Sequence, residues 1–267
     1  MDLHVEESGT GDAVLLLHSS GMSGRQWRRL VPELVRRSLR AVVPDFTGHG
    51  ASEPWLEPKP FSFRTDVLRT VALLEQLEGG GPAHVVGHSY GGLVALQAAL
   101  AAPDRIRSLT LFDPVSFGVL DPSADAAVIA GFSQVDLPWG SAPADHERWL
   151  QAFVDYWGGP GAWVHLREEA RAEFRRVGWV VREGVRSLMA DTTPASVYAG
   201  LRCAVHLMTG AESPPAAKAV IRHLGLAFRT ARTTTLPGAG HLGPLTHPDP
   251  FKTALLAALV PESLPDA

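Results

Sequence analysis

Short apolar runs alternate along this chain with longer stretches of helical periodicity. Residues 13–17 are continuously apolar, as a strand covered on both faces requires. Residues 39–44, 83–88, 106–112, 203–209 and 228–236 predict further strands. Residues 3–7 predict an edge strand closed by the turn Ser8-Gly9-Thr10-Gly11-Asp12. Between the strands the period changes. Trp27, Leu30, Val31, Leu34 and Val35 fall at i, i+3, i+4, i+7 and i+8, and Pro32 predicts a break or a new first turn. A helix is expected over 62–78, with Val67, Val71, Leu74 and Leu77 inward, stopped by Gly79-Gly80-Gly81-Pro82. Leu93, Leu96 and Leu100 share one face of a helix over 90–101 that Pro103 ends. Helices over 214–224 and 248–260 follow, the last with Phe251, Leu255 and Leu259 inward. Strands alternating with helices through short loops specify an α/β protein: a mostly parallel central sheet with helices on both faces.

The rhythm breaks after Asp113-Pro114. Residues 115–195 hold five of the seven tryptophans and lack strand-like runs ending in polar loops. They read as helices interrupted by Gly and Pro, an inserted helical cap or lid. The core is then residues 1–114 and 196–267, with 115–195 as the cap. Trp157 and Trp163, flanking Gly158-Gly159-Pro160-Gly161, are expected to face a substrate pocket in part. Arg167, Arg171 and Arg175 share a helix face with Glu168, Glu169 and Glu173 nearby, which reads as a solvated, ion-paired surface.

Composition narrows the class. At 267 residues the chain buries a sizeable core without staples. With 45% hydrophobic and 19% charged residues it is an ordinary globule, not a disordered chain. A net charge of −4 gives no nucleic-acid footprint. The single cysteine, Cys203, sits in an apolar run and reads as a buried structural thiol; one cysteine allows no intramolecular disulfide. The acidic first residues carry no export pattern, and no apolar run reaches a membrane span. A cytoplasmic protein acting on a small molecule is expected, without nucleic acid or membrane as partner, and a monomer or homodimer. No His/Cys/Asp cluster has metal-ligand spacing, and the Gly-x-Gly turns at 48–50 and 238–240 lie outside a dinucleotide-binding βαβ context. No metal and no cofactor are expected.

The chemistry concentrates at Gly87-His88-Ser89-Tyr90-Gly91. A G-x-S-x-G sequence between a buried strand and a helix holds the serine on a tight, strained turn, clear of the sheet edge. A serine alone is a poor nucleophile; it needs a base, and the base needs an orienting group. His241, in Gly238-Ala239-Gly240-His241 after the last strand, is the candidate base. His18 reads as a brace for the loop after the first buried strand, His88 as a core histidine, and His247 as a helix-start residue. Two carboxylates end strands in the required order. Asp113 follows strand 106–112, and Glu212 follows strand 203–209. Asp45, at the end of an earlier strand, reads as a turn residue.

Gly87-His88-Ser89-Tyr90-Gly91-Gly92, Asp45-x-x-Gly48-x-Gly50-x-Ser52 and Gly238-x-Gly240-His241 together resemble the α/β-hydrolase fold family. The resemblance covers nearly the whole chain outside the cap. It implies a Ser–acid–His triad and an oxyanion hole of two backbone N–H groups, by position those of Ser20 and Tyr90. Relatives usually carry His-Gly-x where this chain has His18-Ser19-Ser20, which puts Ser19 at the pocket in place of a glycine. The commonest acid of the family lies in a Gly-x-x-Asp turn, whose fourth position here is Ser213. Members with a long cap sometimes place the acid one strand earlier, so Asp113 is favoured over Glu212. The expected activity is that of a serine hydrolase cleaving a carboxylic ester or lactone of a small, largely apolar molecule through an acyl-enzyme on Ser89. Hydrolysis of a carbon–carbon bond in diketone-like compounds, or of a thioester, on the same triad is the alternative. A ligand-binding or receptor protein on this fold, with weak or no turnover, is the alternative of another class.

Overall fold

The computed structural model describes residues 3–56, 60–77, 79, 81–131 and 137–259. Among these residues, seven strands form one sheet in the order β1-β3-β2-β4-β5-β6-β7. The strands are β1 (Val5–Ser8), β2 (Asp12–Leu17), β3 (Leu39–Pro44), β4 (Ala83–His88), β5 (Ile106–Phe112), β6 (Ala204–Gly210) and β7 (Arg232–Leu236). Only the β1–β3 pairing is antiparallel, which puts the exception at the sheet edge.

The helices named here are α1 (Val31–Arg36), α2 (Phe63–Gln76), α3 (Tyr90–Ala101), α4 (Ala126–Gly131), α5 (Pro143–Gly158), α6 (Ala162–His165), α7 (Glu168–Met189), α8 (Ala195–Tyr198), α9 (Pro215–Ala227), α10 (Gly243–Thr246) and α11 (Pro248–Leu259). Side chains alternate across each strand, so one strand feeds two cores. Leu15 and Leu17 pack with Phe63, Leu74, Leu93 and Val220, from α2, α3 and α9. Val14 and Leu16 pack with Leu34, Phe251 and Leu255, from α1 and α11. Both faces of the sheet are therefore covered, and this is why the strands read as unbroken apolar runs. Helices α4 to α8 all lie between β5 and β6.

Most sequence expectations shift only at their ends. The turn at Pro32 is a new helix start, with Pro32 in the first turn of α1. Ser62 caps α2 by accepting from the Arg64 N–H. Helix α9 runs three residues past the expected stop, and β7 begins at Arg232 rather than 228. Gly225 does not end α9: the Phe228 N–H still reaches the Leu224 carbonyl. Glu78, Gly80, part of the Pro-rich connection at 53–61 and residue 260 fall outside the described residues.

A tight backbone contact lies where β4 meets α3. A Cβ on Gly87 would sit 2.5 Å from the Gly91 carbonyl oxygen, and one on Gly91 would sit 2.3 Å from the Leu17 carbonyl oxygen. Strand, turn and helix close on one another only because both positions lack a side chain. A Gly87→Ala substitution is expected to cost about 3 kcal/mol or more, because backbone must move. Gly225→Ala, in α9 with only the Leu207 side chain at 3.9 Å, is expected to stabilise by about 0.5–1 kcal/mol. Urea unfolding of the two variants checks the opposite signs.

Candidate active site

Ser89 stands between β4 and α3 with φ +56° and ψ −115°. A non-glycine residue there is strained by about 1–3 kcal/mol and needs fixed surroundings. Its N–H donates to the Phe112 carbonyl at 2.9 Å, and its carbonyl accepts from the N–H groups of Gly92, Leu93 and Val115. These bonds hold Ser89 to its own helix and to the neighbouring strand end, so the turn cannot relax alone.

His241 lies in the loop between β7 and α10 and is buried. Its Nε2 is 2.9 Å from Ser89 Oγ, and its Nδ1 is 3.2 Å from Asp113 Oδ2. With Asp113 ionised, Nδ1 carries the ring proton and Nε2 accepts from the serine hydroxyl. Asp113 is fully buried, one residue past β5, at φ +45°, and its N–H donates to the Met208 carbonyl. Glu212 is exposed; its part in the loop is a backbone bond from its N–H to the Ala239 carbonyl.

Ser213, which the sequence marks only as a departure from Gly-x-x-Asp, belongs to this cluster. It accepts from the Gly210 N–H at 3.1 Å and donates its hydroxyl to Asp113 Oδ2 at 2.5 Å. A carboxylate on the β5 end and a hydroxyl on the β6 end thus share the space beside His241. His88 does not simply fill the core. Its Nε2–H donates to the His241 carbonyl at 2.8 Å, and burial holds its pKa well below the ordinary histidine value. The ring of Trp157 covers His241 with centroids 4.2 Å apart.

The loop after β2 is braced by two neutral histidines. His18 Nε2 accepts from the Phe46 N–H and its Nδ1–H donates to the Ser19 carbonyl. His49 Nε2 accepts from the Gly21 N–H and its Nδ1–H donates to the Thr47 carbonyl. Each ring needs one bare nitrogen, so neither can be protonated without losing a backbone bond. Burial, with a smaller contribution from His49, pushes the His18 pKa down to about 3. The Ser19 N–H is taken by Gln26 Oε1 at 3.0 Å. Among the described residues, the N–H groups of Ser20 and of Tyr90, the first residue of α3, have no acceptor. Asp45 behaves as a turn residue, accepting from the N–H groups of Gly24 and Ala51.

Ser20 and Ser89 open into a cavity of about 360 Å³. Trp157 lines it, as do Trp149, Phe153 and Phe117 from the segment between β5 and β6. Trp163 and Ser19 depart from the pocket expectation. Trp163 is buried edge-on against Phe174, and Ser19 is buried with its N–H turned to Gln26. The glycines beside Trp163 form the bend between α5 and α6, and that bend directs the ring into the helix packing. Two arginines, Arg182 and Arg186, also line the cavity; their i, i+4 spacing on α7 was the available sequence signal. Cys203 is only half-buried, and burial raises its thiol pKa above the ordinary value. Among the described residues no cluster of metal-ligating side chains occurs, and no helix is long and apolar enough to cross a membrane.

Comparison with known proteins follows the same lines. The family model described as Alpha/beta hydrolase family matches residues 14–254. Lipase LipV of Mycobacterium tuberculosis is 43% identical over 116 residues, 43% of this chain and 42% of that protein. A pimeloyl-[acyl-carrier protein] methyl ester esterase of Methylococcus capsulatus is 43% identical over 174 residues, 62% of each chain. The match thus spans less than two thirds of the length of these curated relatives. The crystal structure of a hydrolase from Pseudomonas aeruginosa PA01 superposes with a TM-score of 0.73 at 25% identity, covering 96% of this chain and 94% of that one.

The neutral histidines give stability a defined pH dependence. His18 is held near 3 and His206, by burial and then Arg232, near 4. In the unfolded chain both titrate near 6.5. Between those values the unfolded state binds more protons, so stability is full above about pH 7 and falls as the pH drops. His18 alone is expected to cost about 2 kcal/mol by pH 5. Urea unfolding at pH 7.5 and pH 5 should show the loss, and a smaller pH dependence in His18→Gln. An unchanged dependence in that variant would count against the bracing role.

Proposed function

Because the chain is a member of the alpha/beta hydrolase family, we propose that it is a serine hydrolase cleaving a carboxylic ester or lactone of a small, largely apolar molecule. The observation that carries this reading is the buried chain of contacts from Ser89 Oγ through His241 to Asp113. Ser89 Oγ attacks the carbonyl carbon while His241 Nε2 takes its proton. The tetrahedral oxyanion is held by the N–H groups of Ser20 and Tyr90, the latter adding the positive end of α3. His241 returns the proton to the leaving alkoxide, and the acyl group stays on Ser89. Water then gives a proton to His241 and attacks the acyl carbon; the collapse returns the proton to Ser89 and frees the acid.

Asp113 orients the Nδ1–H and stabilises the imidazolium formed in each half-reaction. Ser213 fixes the Asp113 carboxylate as a donor from β6. The segment 115–195 acts as a cap: its Trp149, Phe153 and Trp157 line the cavity and keep it dry and apolar. The ester reading draws support from that apolar lining and from the two curated relatives named for lipase and methyl ester esterase activity.

A fluorophosphonate probe is expected to label the protein and to spare Ser89→Ala, read by intact mass. Asp113→Asn is expected to lower kcat about 10³–10⁴-fold, whereas Glu212→Gln stays within about twofold on an ester substrate. Absence of label on folded protein would overturn the nucleophile. A collapse of kcat in Glu212→Gln alone would overturn the choice of acid. Rates on ester, lactone, thioester and diketone substrates then rank the scissile bond.

A further inference from the structure

Resting on the hydrolase reading, we propose that the substrate carries an anionic group, a carboxylate, held by Arg182 and Arg186 of α7. Arg182, Val185, Arg186 and Met189 lie at i, i+3, i+4 and i+7, one stripe of α7, and all four line the cavity that contains Ser89. The other lining side chains are apolar or are the hydroxyls of Ser20 and Ser89. Among the described residues, the two guanidiniums are therefore the only charges on the wall. Ser89 is nearly buried, while the Arg182 and Arg186 side chains are 31% and 49% exposed. The cavity thus runs from a buried serine toward a cationic opening.

The charge there is unbalanced. Arg182 and Arg186 share a single carboxylate, the buried Glu183: Arg182 Nη1 donates to Oε1, and Arg186 Nε donates to Oε2 at 2.9 Å. No other described acceptor meets the remaining donors of either side chain. The solvated part of α7 is arranged differently. Arg171, Arg175 and Arg176 are matched by Glu168, Glu147 and Glu173. The ion-paired surface read from the sequence holds there for Arg171, Arg175, Glu168 and Glu173, whereas Arg167 and Glu169 enter no ion pair among the described residues, and it stops short of the cavity. Among the described residues, two guanidiniums on one carboxylate leave one net positive charge at an apolar wall. Guanidinium donors in that setting are suited to a bidentate carboxylate. Glu183 anchors both side chains and sets their direction.

The test uses matched p-nitrophenyl esters of straight-chain acids ending in a carboxylate or in the isosteric carboxamide, over a series of chain lengths. Wild type is expected to favour the carboxylate at its best length by about tenfold or more in kcat/KM, mainly through KM. The ratio should fall with added salt and approach one in Arg186→Met and in Arg182→Met/Arg186→Met. The ratio, not the absolute rate, is the readout, so partial loss of fold does not imitate the result. Cleavage of both series without preference, or a preference that survives the double substitution, would overturn the inference and leave the hydrolase reading standing. If neither series is cleaved and the fluorophosphonate probe fails, the hydrolase reading falls instead. Tryptophan fluorescence titration with hexanoate against hexanamide then decides: tighter carboxylate binding that the double substitution abolishes supports the anion site, and equal binding overturns it.

Discussion

The close backbone approach between β4 and α3, around Gly87 and Gly91, sets the terms for the site built above it. With a side chain at either position, the Ser89 turn could not sit between the strand end and the helix start. The turn is strained at Ser89, yet four backbone hydrogen bonds to and from that one residue hold it. Two of them reach Phe112 and Val115, on either side of Asp113. The serine position and the carboxylate position are therefore fixed by one backbone network, before any side-chain contact is made. The register of β4 on β5, pairing His88 with Phe112, provides the same alignment from within the sheet.

The carboxylate beside His241 comes from β5, and the residue at the corresponding turn after β6 is a serine. Both strands end at the same edge of a parallel sheet, so an acid on either could face the histidine loop. In this chain Ser213 donates to Asp113, which gives the carboxylate a fixed partner and leaves Oδ2 shared between the hydroxyl and His241. The choice between Asp113 and Glu212 is thus geometric. Glu212 sits one residue before the inward position, and adjacent residues at this turn point to opposite sides: Ser213 inward, Glu212 to solvent.

The sheet was legible because each buried strand is a run of apolar residues closed by a polar loop, and because helix period and strand period differ. Ser89 and His241 were legible because their neighbours are glycines at spacings that few other structures need. What escaped was set by packing between distant segments. Trp163 carries the same local signal as Trp157, but the bend between α5 and α6 sends one ring to Phe174 and the other to His241. Ser213 carries no signal until the β5 and β6 ends are side by side. The two His–backbone braces need the segment after β3, with Phe46 and His49, brought beside the loop after β2 that holds His18 and Gly21. Helix ends moved for a local reason, since capping bonds such as Phe228 to Leu224 depend on geometry that composition does not record.

Burial works in two directions around the site. It keeps His18, His49 and His88 neutral: His18 and His49 each give one proton and accept another in backbone bonds that shape the loops, and His88 gives one to the His241 carbonyl. At the apolar cavity wall the same low polarity makes an unmatched guanidinium costly. Three histidines avoid that cost by losing their charge. Arginine has no such route, because its pKa lies too high for deprotonation. Arg182 and Arg186 must therefore find either water or an anion, and Glu183 supplies only one carboxylate between them. Their partial exposure leaves them hydrated while the cavity is empty of substrate. A substrate that fills the apolar wall displaces that water; with no further carboxylate on the wall among the described residues, a negative group on the substrate then matches the charge.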